Sequence, residues 1–145
     1  MITYRVEETI DRPVPDVFPY VADPTLYPRW MPVSDVRMAT PGDTRVGATA
    51  RMQMKVGARS APFTSEVTEY ESNAKIGFRT TEGPMDWEGT FTLQPIGDGA
   101  TRIVGLGSIR LKGWQRLMEP FIRGEVRRGE AAELARLKDL LESQP

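Results

Sequence analysis

The feature that most constrains the fold is the stretch from Val33 to Leu111, in which no strong amphipathic helix pattern occurs. Segments of alternating apolar and polar residues fill it, and turn signals such as Pro41-Gly42-Asp43 and Gly97-Asp98-Gly99 separate them. Such spacing predicts an antiparallel meander of about six strands. A sheet with one apolar face needs cover, which the segments before and after it must supply.

The segment before the meander predicts one strand and two short helices. Residues 2–10 alternate between apolar and polar side chains, as in a half-buried strand. Pro15 suits the first turn of a helix, and Asp23-Pro24 stops that helix soon afterwards. A second short helix is expected to begin at Pro24 and to fail near Pro28 or Pro32.

One long helix is predicted for residues 113–143. Its apolar residues recur at spacings of three, four and seven, and Pro120 should kink it or mark its true start. The expected inward stripe of this helix is Leu117, Phe121, Gly124, Ala131, Leu134 and Leu141. The order of elements predicts a single α+β domain over residues 1–145, in which a curved antiparallel sheet of about seven strands wraps around the long helix. The two short helices after the first strand would close one end.

Two residue types are missing, and their absence excludes several classes of function. The 145 residues include no cysteine and no histidine. Disulfides, zinc–thiolate sites, histidine metal sites and Ser–His or Cys–His catalysis are therefore excluded, and we predict no metal and no cofactor. Any acid–base chemistry would fall to Asp, Glu, Tyr, Lys or Arg.

Charge and hydropathy argue against nucleic-acid partners and membrane-spanning segments. The 19 basic and 20 acidic residues give a net charge of −1, and the arginines after residue 120 alternate with glutamates, as on a solvated helix face. No apolar run approaches the roughly 20 residues that a bilayer-spanning helix needs. The N-terminus, MITYRVEET, lacks the layout of a signal peptide, so we expect a cytoplasmic location.

The order of elements and three motifs resemble the START-like superfamily, also named the SRPBCC or helix-grip superfamily. The motifs are the strand-Pro-x-x-x-Val-Phe entry from Ile10 to Phe18, the Asp-Pro…Trp segment from Asp23 to Trp30, and the leucine-rich ending from Leu134 to Glu142. Within the superfamily, the sequence is most similar to the polyketide cyclase/dehydrase and lipid-transport group, over essentially its whole length. The resemblance implies a deep cavity between the sheet and the long helix that holds an apolar small molecule.

An apolar pocket is one interpretation of the large apolar side chains on the predicted strands, rim and helix. Methionine adapts to irregular shapes and suits surfaces that accept varied ligands. Simple core packing is the alternative interpretation. The candidate ligand-binding residues are Trp30, Met38, Met52, Met54, Phe78, Met85, Trp87 and Phe121.

Three polar residues are candidates for the same pocket. Glu8 shares its face with the apolar residues of the first strand, and Arg128 or Arg127 should approach the helix stripe, so an internal ion pair would orient a ligand. The alternative is that Glu8 reaches water at the frayed end of the strand. Tyr27 is a candidate hydrogen-bond donor at the rim. No paired carboxylates are expected at inward positions.

The proline-rich segment ADPTLYPRWMP, residues 22–32, has two interpretations. It forms a preshaped rim of the pocket with Trp30 against the ligand, or Trp30 only anchors the short helices to the sheet.

Three functions fit these features. The first is the binding of an apolar or amphipathic small molecule, such as a polyketide, a lipid or an isoprenoid, in an internal cavity. The second is a polyketide cyclase or dehydratase that works by pocket-templated orientation, which an inward acid–base pair would favour. The third is a protein-interaction module, which a shallow groove and an exposed apolar patch would favour. Whether the chain is an enzyme stays open at this point.

Overall fold

The computed structural model describes residues 1–56 and 58–145. These residues include seven strands, two α-helices and two 3₁₀ helices. The strands are β1 (Ile2–Ile10), β2 (Val33–Met38), β3 (Thr49–Val56), β4 (Arg59–Glu71), β5 (Lys75–Glu82), β6 (Met85–Ile96) and β7 (Ala100–Leu111). The α-helices are α1 (Val14–Ala22) and α2 (Glu119–Glu142), and the 3₁₀ helices cover Pro24–Arg29 and Gly113–Met118.

All seven strands form one antiparallel sheet in the order β1-β7-β6-β5-β4-β3-β2. The strands from β2 to β7 pair consecutively, as a meander does, and β1 is added at the edge by pairing with β7. The predicted helix-grip fold of about seven strands, a long C-terminal helix and two short helices after the first strand is therefore confirmed. No helix among the described residues combines the length and the hydropathy that crossing a bilayer requires.

The long helix α2 packs against β1. The backbone N–H of Asp11, just after β1, donates to Oε2 of Glu142 over 2.8 Å. Nζ of Lys138 donates to the carbonyl oxygen of Thr9 over 2.6 Å. These polar contacts flank the fully buried leucines of the C-terminal half of α2, so this half of the helix is held firmly on the sheet.

The face that α2 turns towards the sheet differs from the predicted stripe. Pro120 lies in the first turn of α2, where its missing N–H costs no hydrogen bond, so it marks the true start of the helix. Leu117 and Phe121 are 77% and 76% exposed, and Gly124 and Ala131 are also exposed. Leu117 lies in the 3₁₀ helix before α2, whose rotation per residue differs from that of an α-helix. Phe121, Gly124 and Ala131 lie in α2, but at 3.6 residues per turn they are about 120–160° around the helix axis from the buried Leu137, so the stripe prediction is wrong there. The inward face of α2 consists of Ile122, Val126, Glu130, Glu133, Leu134, Leu137 and Leu141.

A pair of glycines in neighbouring strands makes room for an inward tyrosine. Gly89 of β6 pairs with Gly107 of β7, and Tyr4 of β1 pairs with Gly107 on its other side. A Cβ atom at Gly107 would lie 2.3 Å from the Tyr4 hydroxyl oxygen. The missing side chain therefore lets the tyrosine ring lie flat over β7 and reach β6.

Candidate functional site

A cavity of about 130 Å³ lies between α2 and the inner face of the sheet. Residues from β2 to β7, from α2, from the first 3₁₀ helix and from the segment after it line the cavity. Its volume is below the roughly 300–1,000 Å³ of pockets that hold drug-sized ligands, so in this form it fits a small molecule or one end of a longer one. The apolar wall consists of Met31, Met52, Met54, Phe63, Phe78, Met85, Trp87 and Ile109.

A larger groove of about 570 Å³, open to solvent, is lined by residues of β2, β3 and β4 and by Glu82 and Gly83, and it shares Met52 and Phe63 with the inner cavity. Its polar lining residues, including Arg37, Arg51 and Glu82, are exposed or half-buried. An open groove of this kind leaves most of a small ligand in water, whereas small-molecule sites bury most of it. We therefore take the inner cavity as the candidate site.

Five of the eight predicted ligand-binding residues lie together around the inner cavity. They are Met52, Met54, Phe78, Met85 and Trp87. The rings of Phe78 and Trp87 pack edge-to-face with their centroids 4.8 Å apart, which fixes the part of the wall over β5 and β6. Contact of these side chains with a ligand stays a prediction.

Trp30 is not a rim residue, because it is only 1% exposed and does not line the cavity. Its Nε1–H donates to the carbonyl oxygen of Tyr20 over 3.1 Å, and its ring packs against Phe91 at 5.7 Å. Nε of Arg136 on α2 donates to the Trp30 carbonyl oxygen over 3.1 Å. The anchoring interpretation of Trp30 is therefore the one that fits. Its neighbours Tyr27 and Met31 line the cavity instead. The proline-rich segment therefore anchors the short helices to the sheet through Trp30 and also forms part of the cavity wall.

Met38 and Phe121 lie away from the cavity. Met38 ends β2, where it is half-buried beside Phe18 and Tyr70 in a surface groove. Phe121 lies on the outer face of α2, because the true helix phase turns Ile122 and Val126 inward instead. The prediction that both residues line the pocket is corrected accordingly.

The predicted internal pair of Glu8 and Arg128 does not form. Glu8 is half-buried near the end of β1, where Oε1 accepts a hydrogen bond from the backbone N–H of Thr9 over 3.2 Å. The part of α2 beside it carries Lys138, which bonds Thr9. Arg128 lies ten residues earlier on α2, about 15 Å along the helix axis. Arg128 is also exposed, because the phase of α2 places it on the outer face.

Tyr27 lines the cavity with its ring but does not offer its hydroxyl group. The hydroxyl donates to the carbonyl oxygen of Val21 over 2.7 Å. Burial raises the pKa of this phenol above its usual value, so it stays a neutral donor to the backbone. Its predicted role as a donor to ligand is corrected by this bond.

Two glutamates of α2, Glu130 and Glu133, supply the acidic part of the cavity wall, and Lys55 and Ser65 also line it. They lie one helical turn apart, and their carboxyl groups are within hydrogen-bond reach of each other. Both are half-buried, and the space that reaches them is the cavity itself. The expectation that no paired carboxylates face inward is therefore wrong.

Burial raises the pKa of both carboxyl groups. The pKa of Glu130 rises to about 7, and that of Glu133 rises to about 9 because the neighbouring Glu130 charge adds to the burial effect. Arg136 partly opposes the rise at Glu133. Two carboxyl groups this close cannot both ionise easily, so near neutral pH the pair retains a proton.

The hydroxyl of Tyr4 lies near the same pair. It accepts a hydrogen bond from Nε1–H of Trp87 over 2.8 Å, and its pKa is raised by burial and by the charges of Glu130 and Glu133. The cavity therefore has a polar corner, formed by the two carboxyl groups with a neutral phenol nearby, and mainly apolar walls, to which Lys55 and Ser65 also contribute. Such a corner accepts hydrogen bonds and holds a proton that it can donate.

The carboxyl pair could have been found from the sequence by extending the leucine stripe backwards. Glu130 and Glu133 precede the buried Leu134 and Leu137 by four residues each, and residues four apart share a helix face. The predicted stripe hid this relation, because its members before Leu134 lie on the exposed side of the helix.

Comparison with known proteins identifies a family that matches the sequence and solved structures that share the fold. A family model described as polyketide cyclase / dehydrase and lipid transport matches residues 1–142. No curated protein matches the sequence at a significant level. The structure is similar to that of TTHA0849 from Thermus thermophilus, with 19% identity, a TM-score of 0.81 and coverage of 97% of each chain.

Two further solved structures are similar over nearly the same range. A START superfamily protein from Mycobacterium smegmatis shares 18% identity with a TM-score of 0.79, covering 97% of this chain and 99% of the other. The Zhui aromatase/cyclase from Streptomyces sp. R1128 shares 18% identity with a TM-score of 0.77, covering 97% of this chain and 94% of the other. At such identities the likeness concerns the fold alone.

Proposed function

Because the chain belongs to the polyketide cyclase/dehydrase and lipid transport family, we propose that it binds an amphipathic small molecule in the cavity between α2 and the sheet. The observation that carries this proposal is the polar corner of Glu130 and Glu133 in a wall that is mainly apolar, with Lys55 and Ser65 as its other polar side chains apart from the bonded hydroxyl of Tyr27. Polyketide-, lipid- and isoprenoid-like molecules combine an apolar body with few polar groups, which suits such a wall.

The polar corner selects for a hydrogen-bond donor on the ligand. An ionised carboxylate only accepts hydrogen bonds, and a pair that retains one proton offers mainly acceptors. A hydroxyl, an enol or an N–H group at one end of the ligand would satisfy Glu130 and Glu133. The apolar body would lie against Met52, Met54 and Met85, whose flexible side chains adjust to its shape.

Native mass spectrometry of the protein purified from its own host tests the binding proposal. We expect a co-purified small molecule on the wild-type protein. Met54→Trp should remove it, because the larger side chain fills a cavity of about 130 Å³. Met38→Trp is the matched control, since Met38 lies outside the cavity. No bound molecule on the wild type, or equal retention by both variants, would contradict the proposal.

A second candidate function is proton-transfer catalysis of the kind that a cyclase or dehydratase needs. One specific observation favours it: two carboxyl groups whose pKa values are pushed apart, which lets one act as acid and the other as base. The base would take a proton from a carbon next to a carbonyl group, and the acid would donate a proton to the oxygen.

The elimination of 5-nitrobenzisoxazole, which needs only a carboxylate base in an apolar site, tests this second function. The base removes the ring C–H proton while the N–O bond breaks, giving a nitrophenolate that absorbs visible light. The rate should rise with pH until the pair has lost its proton, and the double variant Glu130→Gln/Glu133→Gln should abolish the increase. Glu125→Gln, on the exposed side of the same helix, should leave the rate unchanged. Equal rates in all three proteins would reject the pair as a base.

The proposal also includes a cytoplasmic location and no nucleic-acid partner. Cell fractionation and a binding assay with DNA and RNA oligonucleotides test these two expectations.

A further inference from the structure

Four large apolar side chains are exposed together where β7 connects to α2. Trp114, Leu117 and Phe121 are 74%, 77% and 76% exposed, and Met118 is 43% exposed. Their spacing of three and four residues, through the second 3₁₀ helix and the first turn of α2, places them on one side of this segment. We name these four residues the exposed apolar patch. Isolated apolar side chains on a surface are ordinary, but a contiguous group of this size marks an interaction site.

The residues around the exposed apolar patch are mainly basic. Residues 112–128 contain five basic and two acidic side chains, and one of the acidic ones, Glu119, is buried in contact with the amino group of Met1. Lys112 pairs with Asp86 at 3.6 Å. Within the described residues, the other four have no carboxylate within 4.0 Å; they are Arg116, Arg123, Arg127 and Arg128. All four are exposed.

Arg128 extends the patch along the outer face of α2. It follows Phe121 by seven residues, which is two helical turns, so the two side chains share a face. Nη1 of Arg128 lies 3.2 Å from the position that a Cβ atom at Gly124 would take. The guanidinium group therefore folds back over Gly124 towards Phe121, and the positive charge lies beside the apolar surface.

A bilayer surface fits both properties of this region better than a protein copy does. In a symmetric dimer each patch would face its own equivalent, so Arg116 and Arg128 would meet the arginines of the other copy. At an anionic bilayer, Trp and Phe side chains enter the boundary between headgroups and acyl chains while arginines contact the phosphates. The net charge of the whole chain is only −1, so the basic region also orients the molecule towards a negative surface.

We propose that the exposed apolar patch and its arginines dock the protein reversibly onto the surface of an anionic phospholipid bilayer. This inference goes beyond small-molecule binding and stands whether or not the cavity holds the proposed ligand. The position of the patch nevertheless relates the two sites. Nζ of Lys112, two residues before Trp114, donates to the carbonyl oxygen of Gly83 over 2.9 Å, and Met85 beyond that turn lines the cavity. A docked molecule would hold that end of the cavity near the bilayer.

Trp114 provides a direct test with phospholipid vesicles, because Trp30 is buried and Trp87 is half-buried. We expect the tryptophan fluorescence to shift to shorter wavelength with vesicles containing phosphatidylserine and to change little with vesicles of phosphatidylcholine alone. Lipids brominated on the acyl chain should quench the shifted emission, and raising the salt concentration should reverse binding because the attraction is electrostatic.

Two sets of variants separate the apolar and the basic contributions in a vesicle sedimentation assay. Leu117→Ser/Phe121→Ser should reduce the bound fraction at least tenfold, and Arg116→Gln/Arg128→Gln should weaken binding about fivefold per removed charge. The matched control is Val46→Ser/Ile96→Ser, which removes two exposed apolar side chains elsewhere and should bind like the wild type.

Three results would overturn the proposal. The first is vesicle binding that is equal with and without phosphatidylserine, or equal in all variants. The second is no vesicle binding by the folded wild-type protein. The third is a dimer in sedimentation velocity that Leu117→Ser/Phe121→Ser dissociates, because the patch would then be covered by a second copy.

Discussion

The indole N–H of Trp87 on β6 donates a hydrogen bond to the hydroxyl oxygen of Tyr4 on β1, 2.8 Å away across the intervening strand β7. The bond is possible only because β7 carries glycine at position 107, directly beneath the tyrosine ring. It connects an edge strand to the wall of the cavity and places the phenol next to the carboxyl pair of α2.

Gly107→Ala should therefore destabilise the protein and disturb the cavity wall. The added methyl group would lie 2.3 Å from the Tyr4 oxygen, so the ring must move and the bond to Trp87 must break. We expect a loss of about 1–3 kcal/mol in the free energy of unfolding, measured with urea, and a change in near-ultraviolet circular dichroism. Gly99→Ala is the control, because a Cβ atom there would meet nothing within 4 Å. Equal stability of the two variants would contradict the account of this contact.

Trp30→Ala should cost about 3–5 kcal/mol in the free energy of unfolding, as truncation of a buried aromatic side chain does. Its ring is packed on Phe91, and its N–H group is bonded to Tyr20. Trp114→Ala, the same change at a 74% exposed position, should alter stability by less than about 0.5 kcal/mol. The affinity of the folded Trp30→Ala protein for an apolar fluorescent probe should match that of the wild type. A small stability loss with weakened probe binding would restore the rim role of Trp30.

A third pair of substitutions tests which side of the C-terminal helical segment faces the core. Leu137→Ala should destabilise the protein by about 2–5 kcal/mol, because this side chain is fully buried against the sheet. Leu117→Ala should have little effect on unfolding, because Leu117 is 77% exposed. Thermal and urea unfolding of both variants measure the difference. A large loss for Leu117→Ala would mean that the predicted stripe, rather than the observed one, faces the core.

The carboxyl pair should make stability fall as pH rises. In the unfolded chain both glutamates titrate near pH 4.5, whereas in the folded protein their pKa values are about 7 and about 9. Between these limits the folded state binds more protons than the unfolded state, so the free energy of unfolding decreases with increasing pH through this window. Urea unfolding at pH values from about 5 to about 9, the window that these pKa values set, measures how the free energy of unfolding changes with pH.

Glu133→Gln should flatten this slope, since the amide cannot titrate and the group with the pKa of about 9 is removed. Glu125→Gln, at an exposed position of the same helix, should retain the wild-type slope. Stability that rises with pH in the wild type, or an unchanged slope in Glu133→Gln, would show that the pair is ionised in the folded state.

The sequence could predict which side chains of each strand face the cavity, because alternate residues of a strand lie on the same face. In β6 the side chains alternate strictly, so placing Phe91 inward also placed Met85 and Trp87 on the same face. Because side chains alternate between the two faces, one residue known to be buried determines the face of every other residue in the strand. The same reasoning put Asp86 on the outer face, where it pairs with Lys112.

Helix phase was the part that failed, and one error there explains several others. At a rotation of about 100° per residue, a stripe drawn from Leu117 and Phe121 starts on the exposed side of the helix, although its last members, Leu134 and Leu141, are buried as predicted. Taking Leu117 as the start placed Phe121 and Arg128 near the pocket, and it left Glu130 and Glu133 unnoticed. The polarity of the glutamates hid them further, because a search for apolar periodicity passes over the charged residues that a cavity retains for binding or chemistry.

The position of β1 at the edge of the sheet has a consequence for how the chain reaches its folded state. β1 is synthesised well before its partner β7 and its cover α2: Ile2 pairs with Ile109, and Asp11 bonds Glu142. Such distant pairings require a long loop to close before they contribute any stability, which slows folding. The apolar face of β1 therefore stays uncovered until β7 and α2 have been synthesised. During that interval β1 is exposed to aggregation and to capture by chaperones.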